Sequence, residues 1–324
     1  MRIVVLGGAG FIGKKLVSKL LKRGQISLNG RPVMPINQLV VFDKEKAIGL
    51  PEDSRLEIVE GDICNRGTIA ELLGKHTDVI FHLAAVVSGE AEKNFELGMQ
   101  VNLQANLQLL EICRAMYHAP VLVFASSVAV YGGELTEIIS DDTAPIPQSS
   151  YGTQKAMMDL LINDYSRRGF IDGRALRLPT IAIRSGKPNA ATSSFVSSII
   201  REPLQGQRAN CPVTPDIKVW ILSPEKVTDN FIHAAHIPAQ ALKNNRVVNL
   251  PGLTVTVREM VSTLETVAGS ETTKLIDWEP DAFIQSIVLT WPPQFVTERA
   301  LTLGFQRDAS VEGIIKSFIK EELT

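Results

Sequence analysis

An apolar run, Arg2–Leu6, breaks directly into Gly7-Gly8-Ala9-Gly10-Phe11-Ile12-Gly13, after which apolar residues recur at helical spacing at Phe11, Leu16, Leu20 and Leu21. A strand that turns on glycines straight into a helix predicts the first leg of a βαβ unit. Each glycine has a separate reason to be there. Gly7 allows the tight turn, Gly10 lets a pyrophosphate come up to the backbone, and Gly13 lets helix and strand pack closely. The helix start offers unpaired N–H groups and the positive end of its dipole. Gly7, Gly10, Phe11 and Ile12 are therefore predicted to hold a dinucleotide.

The rhythm continues through the first half. Apolar runs at residues 38–43, 56–62, 79–85 and 121–132 alternate with amphipathic stretches at 68–76 and 97–116. Strands alternating with helices imply parallel pairing and right-handed crossovers. The fold class predicted is α/β: a Rossmann-type doubly wound parallel sheet over residues 1–180, with a smaller C-terminal α+β substrate-binding lobe over 181–324, the two interleaving. Residues 25–38, with Asn29-Gly30, Pro32 and Pro35, read as a surface loop. The strand-like stretches 218–222 and 247–250 are assigned to the C-terminal lobe.

Composition narrows the classes of function. Apolar residues make up 45% of the 324 residues and the formal charge is -2, with no basic stripe, which argues against a nucleic-acid partner. Cys64, Cys113 and Cys211 are far apart and show no metal-ligand spacing, so they read as reduced thiols and no metal is expected. The opening apolar run is too short for a signal peptide and no later run reaches membrane-spanning length. A cytoplasmic protein with no membrane partner is expected.

Asp43 closes the second predicted strand, where a carboxylate accepts the adenosine ribose hydroxyls and repels a 2′-phosphate. That favours NAD; Lys44, the next residue, leaves NADP as the weaker alternative. His82 has no acidic or histidine neighbour in sequence and reads as a core residue at a strand end. Leu83, Ala84 and Ala85 after it leave room for the dinucleotide. The chemistry is predicted at Ser127, Tyr151 and Lys155. Lys155 follows Tyr151 by one helical turn on the same face. A free phenol ionises near pH ~10. An adjacent cation, with the oxidised nicotinamide, stabilises the phenolate, so Tyr151 can take the proton of a substrate hydroxyl while hydride leaves the same carbon. Ser127 would bond the same oxygen.

Those residues, with Gly61-Asp62-Ile63, His82–Ala85, Val101-Asn102, Phe124–Gly132, Tyr151–Lys155 and Arg177–Ile181, resemble the extended short-chain dehydrogenase/reductase family. The likeness implies that Ser127, Tyr151 and Lys155 are catalytic and that Asn102 supports Lys155 through water. It also implies that Asp62 and Ile63 meet the adenine, and that Ser126, Tyr151, Lys155 and Pro179 complete the cofactor contacts. Ser126 is the neighbour able to exchange roles with Ser127. The dehydratases of the family carry Thr-Asp-Glu where this chain has Ser127-Val128-Ala129. The epimerases carry an arginine-aspartate element that residues 220–234 lack. Within the family the chain is most similar to the branch that oxidises the 2-hydroxyl of D-erythronate with NAD. Residues 180–198 then supply a substrate loop, in which Arg184 and Lys187 suit a carboxylate and Asn189 the hydroxyls. Trp220 reads as packing. The resemblance further implies a homodimer, built on the helices that carry Asn102 and Tyr151. The alternatives are a nucleotide-sugar 4-epimerase with tightly held NAD and a non-catalytic NAD(P) sensor.

Overall fold

The computed structural model describes residues 1–74, 76–134, 138–186 and 192–323. Seven strands form its central sheet: β1 (Arg2–Leu6), β2 (Gln38–Asp43), β3 (Leu56–Glu60), β4 (Val79–His82), β5 (Val121–Ser127), β6 (Asp172–Leu178) and β7 (Val247–Asn249). Every pairing is parallel, in the order β7-β6-β5-β4-β1-β2-β3. The chain therefore winds outward from β1 in one direction and from β4 in the other. The crevice beyond the carboxyl ends of these two strands is where such sheets bind ligands.

Burial explains the sheet's composition. All of β1 is solvent-free, and its side chains alternate between two cores: Ile3 and Val5 enter one, Val4 and Leu6 the other. The first core is closed by Leu16, Val17 and Leu20 of α1 (Phe11–Arg23) and by Val227 and Phe231 of the helix Pro224–His236. The second is closed by helices on the opposite face: α2 (Arg66–Gly74), α3 (Ala105–Arg114) and α4 (Ser150–Arg167). A third core lies among the C-terminal elements, where Phe195, Ile199, Met260, Leu264 and Phe318 meet. Two small sheets belong to that part of the chain. One joins Lys218–Leu222 to Thr180–Ile181 and Leu253–Thr256, and the other pairs Ala209–Cys211 with Ile276–Trp278.

Three sequence expectations are corrected here. Residues 25–38 hold a short antiparallel ladder, Gln25–Ile26 against Met34–Pro35, with Asn29 and Gly30 at positive φ in its turn. Val247–Asn249 does not join the C-terminal lobe; it pairs with β6 as the edge strand of the main sheet. The helix expected over 97–116 is interrupted by a π turn at Met99–Gln104 between Phe95–Gly98 and α3. A π turn adds one residue to the local repeat and re-aims what it carries, and this one carries Asn102.

Candidate active site

The glycine turn is built by close approach. Gly7 has φ 82°, and a Cβ there would lie 2.5 Å from the Ala84 nitrogen. A Cβ on Gly13 would lie 2.3 Å from the Gly7 carbonyl oxygen. The Leu83 and Ala84 amides both donate to the Leu6 carbonyl oxygen, at 2.8 and 3.0 Å, which presses the exit of β4 against the turn. Larger residues at these two glycines would push the turn off the exit of β4 and the helix off the turn. Asp43 ends β2 beside it, half-buried, and accepts from the Ala9 amide at 2.9 Å and the Glu45 amide at 3.2 Å. It therefore braces the turn. Asp62 closes the turn after β3 by accepting from the Cys64 amide, and Ile63 is buried in the second core. Burial, then the bond to Asp62, pushes the Cys64 thiol up to about 11, so it is inert at neutral pH. The residues present thus fit a nicotinamide dinucleotide.

His82 is a core residue: it bonds the Asn106 carboxamide, packs edge-on to Phe124 and is held neutral by burial, pushed down to about 4. Pro179 is buried where the chain leaves β6, and Ala85 lies half-exposed after Ala84.

Tyr151 stands in the first turn of α4. Ser149 caps that helix, its Oγ accepting from the Gly152 amide at 3.1 Å. Gly152 is required for a steric reason, because a Cβ there would sit 2.1 Å from the Ala129 carbonyl oxygen. This approach brings the helix start onto the turn that follows β5, so that Tyr151 comes under the influence of the Ser127 hydroxyl. Ser127 Oγ also accepts from the Ala129 amide at 3.1 Å. Ser126 points the other way, buried and facing Asp159. Of the two serines, Ser127 is the one on the tyrosine.

Lys155 is buried one turn further along α4. Its Nζ donates to the Ala125 carbonyl oxygen at 2.7 Å and lies 4.5 Å from the Phe124 ring centroid and 5.5 Å from that of Tyr151. Burial pushes this amine down to about 8, opposed by Asp159. Burial also raises the Tyr151 phenol above its ordinary value. The Arg184 charge and the Ser127 hydroxyl pull the other way, and Lys155 Nζ stands 5.5 Å from the tyrosine ring, so both cations border Tyr151. Arg184 follows the strand Thr180–Ile181, is held by its Nε on the Ile181 carbonyl oxygen at 3.3 Å, and has its own amide on Ser197 Oγ at 3.1 Å. Lys187 and Asn189 lie outside the described residues.

Asn102 makes no direct hydrogen bond to Lys155 among the described residues; it accepts from the Val86 amide at 2.8 Å and donates to the Val86 carbonyl at 3.0 Å and to Gln154 Oε1 at 2.8 Å. It holds the loop after β4 against α4. Trp220 is buried and stacks on Phe295 with ring centroids 5.1 Å apart, beside Tyr131. Sequence reasoning passed over a buried chain of polar groups behind Lys155. Asp159 accepts from Arg177 Nε at 2.8 Å, Arg177 Nη1 donates to the Tyr131 hydroxyl at 2.5 Å, and that hydroxyl donates to Asn249 Oδ1 at 2.9 Å. The signal for Asp159 was available: it follows Lys155 at the same four-residue interval by which Lys155 follows Tyr151. Among the described residues there is no cluster of side chains able to hold a metal ion, and no helix is long and apolar enough to cross a membrane.

The sequence pattern of the NAD dependent epimerase/dehydratase family matches residues 3–234. The chain belongs to that family. Among its members, the D-erythronate dehydrogenase of Cupriavidus necator is 50% identical over 99% of this chain and 98% of its own length. That of Haemophilus influenzae is 45% identical over the whole of both chains. A solved structure titled as the nucleoside-diphosphate-sugar epimerase from Agrobacterium tumefaciens superposes with a TM-score of 0.93 at 41% identity, covering 100% of this chain and 94% of that one. The epimerase/dehydratase fold and a nicotinamide cofactor thus stand on the whole chain and not on its first half alone.

Proposed function

We propose that this family member oxidises the 2-hydroxyl of a small sugar acid, D-erythronate being the first candidate, to the 2-oxo acid with NAD. What supports the reading is Tyr151 bordered by Lys155, 5.5 Å from its ring, with Ser127 and the Arg184 guanidinium drawing its phenol down. A guanidinium pairs with a carboxylate in a fixed fork. With the acid on Arg184, the hydroxyl on the adjacent carbon falls to Ser127 and Tyr151. Ser127 bonds the hydroxyl oxygen, and the Tyr151 phenolate takes its proton as the C–O bond gains double-bond character. The bound dinucleotide supplies the hydride acceptor. Lys155 keeps a positive charge beside the phenolate, and Asn102 fixes the loop after β4, which would border a bound cofactor.

NAD rather than NADP is supported by Asp43, whose carboxylate has no place for a 2′-phosphate. The unpaired thiols of Cys64, Cys113 and Cys211 fit a reducing cytoplasm. A homodimer is supported by Leu107 on α3 and by Met157 and Leu160 on α4, which are exposed at 40%, 41% and 70% while their helices' other apolar residues face the sheet.

The test is NADH formation by the purified protein. D-erythronate with added NAD gives steady turnover. Silence with every four- to six-carbon sugar acid, with conversion of a nucleotide sugar and no net NADH, would favour the second reading, a 4-epimerase. The Agrobacterium protein's title favours that reading; the carboxylate-matched Arg184 speaks for the first.

A further inference from the structure

Tyr151, Lys155 and Asp159 form one stripe along α4, each a single turn from the next. Arg177 meets the end of the stripe from β6, 7% exposed against 2% for Asp159 and 2% for Lys155. The signs alternate along this line: a phenolate in the reacting state, an ammonium, a carboxylate, a guanidinium. Three separate elements hold the far end still, since Arg177 is tied to Tyr131 after β5 and through it to Asn249 on β7.

The surroundings of Lys155 make the carboxylate matter. From β5 it meets the Ala125 carbonyl and the Phe124 ring, with Ser126 and Ser127 beyond them. From β4 it meets His82, which is neutral. From β6 comes the Arg177 cation, 2.8 Å from Asp159 Oδ2, and the Arg184 charge bears on Tyr151. Among the described residues, Asp159 is the only anion acting on the ammonium. A buried ammonium without a counter-charge gives up its proton.

We propose that Asp159 is a positioning residue that keeps Lys155 charged during turnover, and that Arg177 keeps Asp159 ionised so that it can do so. The inference rests on the reading of Tyr151 and Lys155 as the reacting pair. Asp159 touches neither substrate nor cofactor; it acts only through Lys155. The structure supports each link. Asp159 is the one charged group opposing the discharge of Lys155 by burial. Burial in turn pushes the Asp159 carboxyl toward its neutral form, and Arg177 is the largest force against that. Remove the carboxylate and the lysine becomes neutral at working pH, leaving the phenolate without its neighbour.

The experiment reads the lysine directly. Protein labelled with ¹³C at the lysine ε-carbon is titrated by NMR without substrate, the Lys155 signal being assigned by its loss in Lys155→Arg. The native midpoint is expected near about 8. In Asp159→Asn it falls by about one pH unit or more, and in Asp159→Glu it stays near the native value. The alkaline limb of turnover moves down by the same amount in Asp159→Asn, with KM for the sugar acid little changed. If Asp159→Asn does not fold, the double variant Asp159→Asn/Arg177→Met leaves no orphan charge and must move the midpoint in the same direction. A midpoint that superposes on the native one overturns the proposal. Because the titration needs no turnover, it decides the role of Asp159 even if the protein proves to oxidise no sugar acid.

Discussion

Tyr151 is a poor base in its resting surroundings, because burial holds its phenol above the ordinary value. The Arg184 charge opposes that rise, and Lys155 Nζ stands 5.5 Å from the ring. Tyr151→Phe should therefore lose about 10²- to 10⁴-fold in turnover while its NAD affinity and melting temperature stay near native, as steady-state kinetics, calorimetry and thermal unfolding would read. Lys155 offers a prediction of stability with a definite sign. Its pKa is about 8 folded against an ordinary 10.5. Between these values the unfolded chain binds more protons, so this group's contribution to stability rises with pH through that window. Below about pH 8 its full cost is present. Lys155→Met should abolish turnover yet raise the unfolding free energy at pH 7 by up to about 3 kcal/mol, with the gain fading toward pH ~10.5; a gain that does not fade rejects the argument. Tyr151 and Lys155 were legible because their spacing puts them on one helical face, and Ser127 because it ends an apolar strand before that helix. Asp159 repeats that four-residue interval, but a carboxylate on an amphipathic helix reads as solvated until a guanidinium from a distant strand is found against it.

At the scale of elements, the site depends on how closely α4 meets the turn after β5. Gly152→Ala puts a methyl within 2.1 Å of a backbone oxygen, so the helix start must move. The tyrosine then shifts from Ser127, and kcat should fall about 10²-fold with NAD binding intact. The outer side of the same helix carries a different prediction. Leu160→Arg, at a position 70% exposed, should leave the monomer folded and active but turn a dimer into monomers by sedimentation. Elements whose pattern is local were readable from the sequence, α1 and α4 above all. Those decided by partners were not. The ladder at 25–35 is two residues deep on each side, too short to alternate visibly. The π turn at Met99–Gln104 keeps an unbroken helical composition and shows itself only in where Asn102 points.

For the molecule as a whole, the parallel sheet and its crevice follow from the repeated strand-helix rhythm, while the path of the chain's second half does not. The first and last helices come from opposite ends of the sequence and are tied at the periphery: Lys15 on α1 makes 2.8 Å ion pairs with Glu321 and Glu322 of the last helix. Cofactor binding should be felt throughout the fold. NAD at a hundred times its Kd stabilises by about 2.7 kcal/mol, and thermal unfolding should show that shift as one cooperative transition. In Asp43→Asn the shift with NAD should shrink, since the turn loses its brace at Ala9 along with the ribose acceptor, and NADP should gain relative to NAD.

The strand Val247–Asn249 has a consequence for biosynthesis. Because it seals β6, and because the helix Pro224–His236 covers one face of the sheet, a ribosome must release roughly three-quarters of the polypeptide before the catalytic half has a finished border and a dry interior. Expressed by itself, the segment 1–180 would present a raw strand edge and a bare apolar sheet face to its neighbours, and should accumulate as aggregate although it contains every residue of the tyrosine-lysine pair.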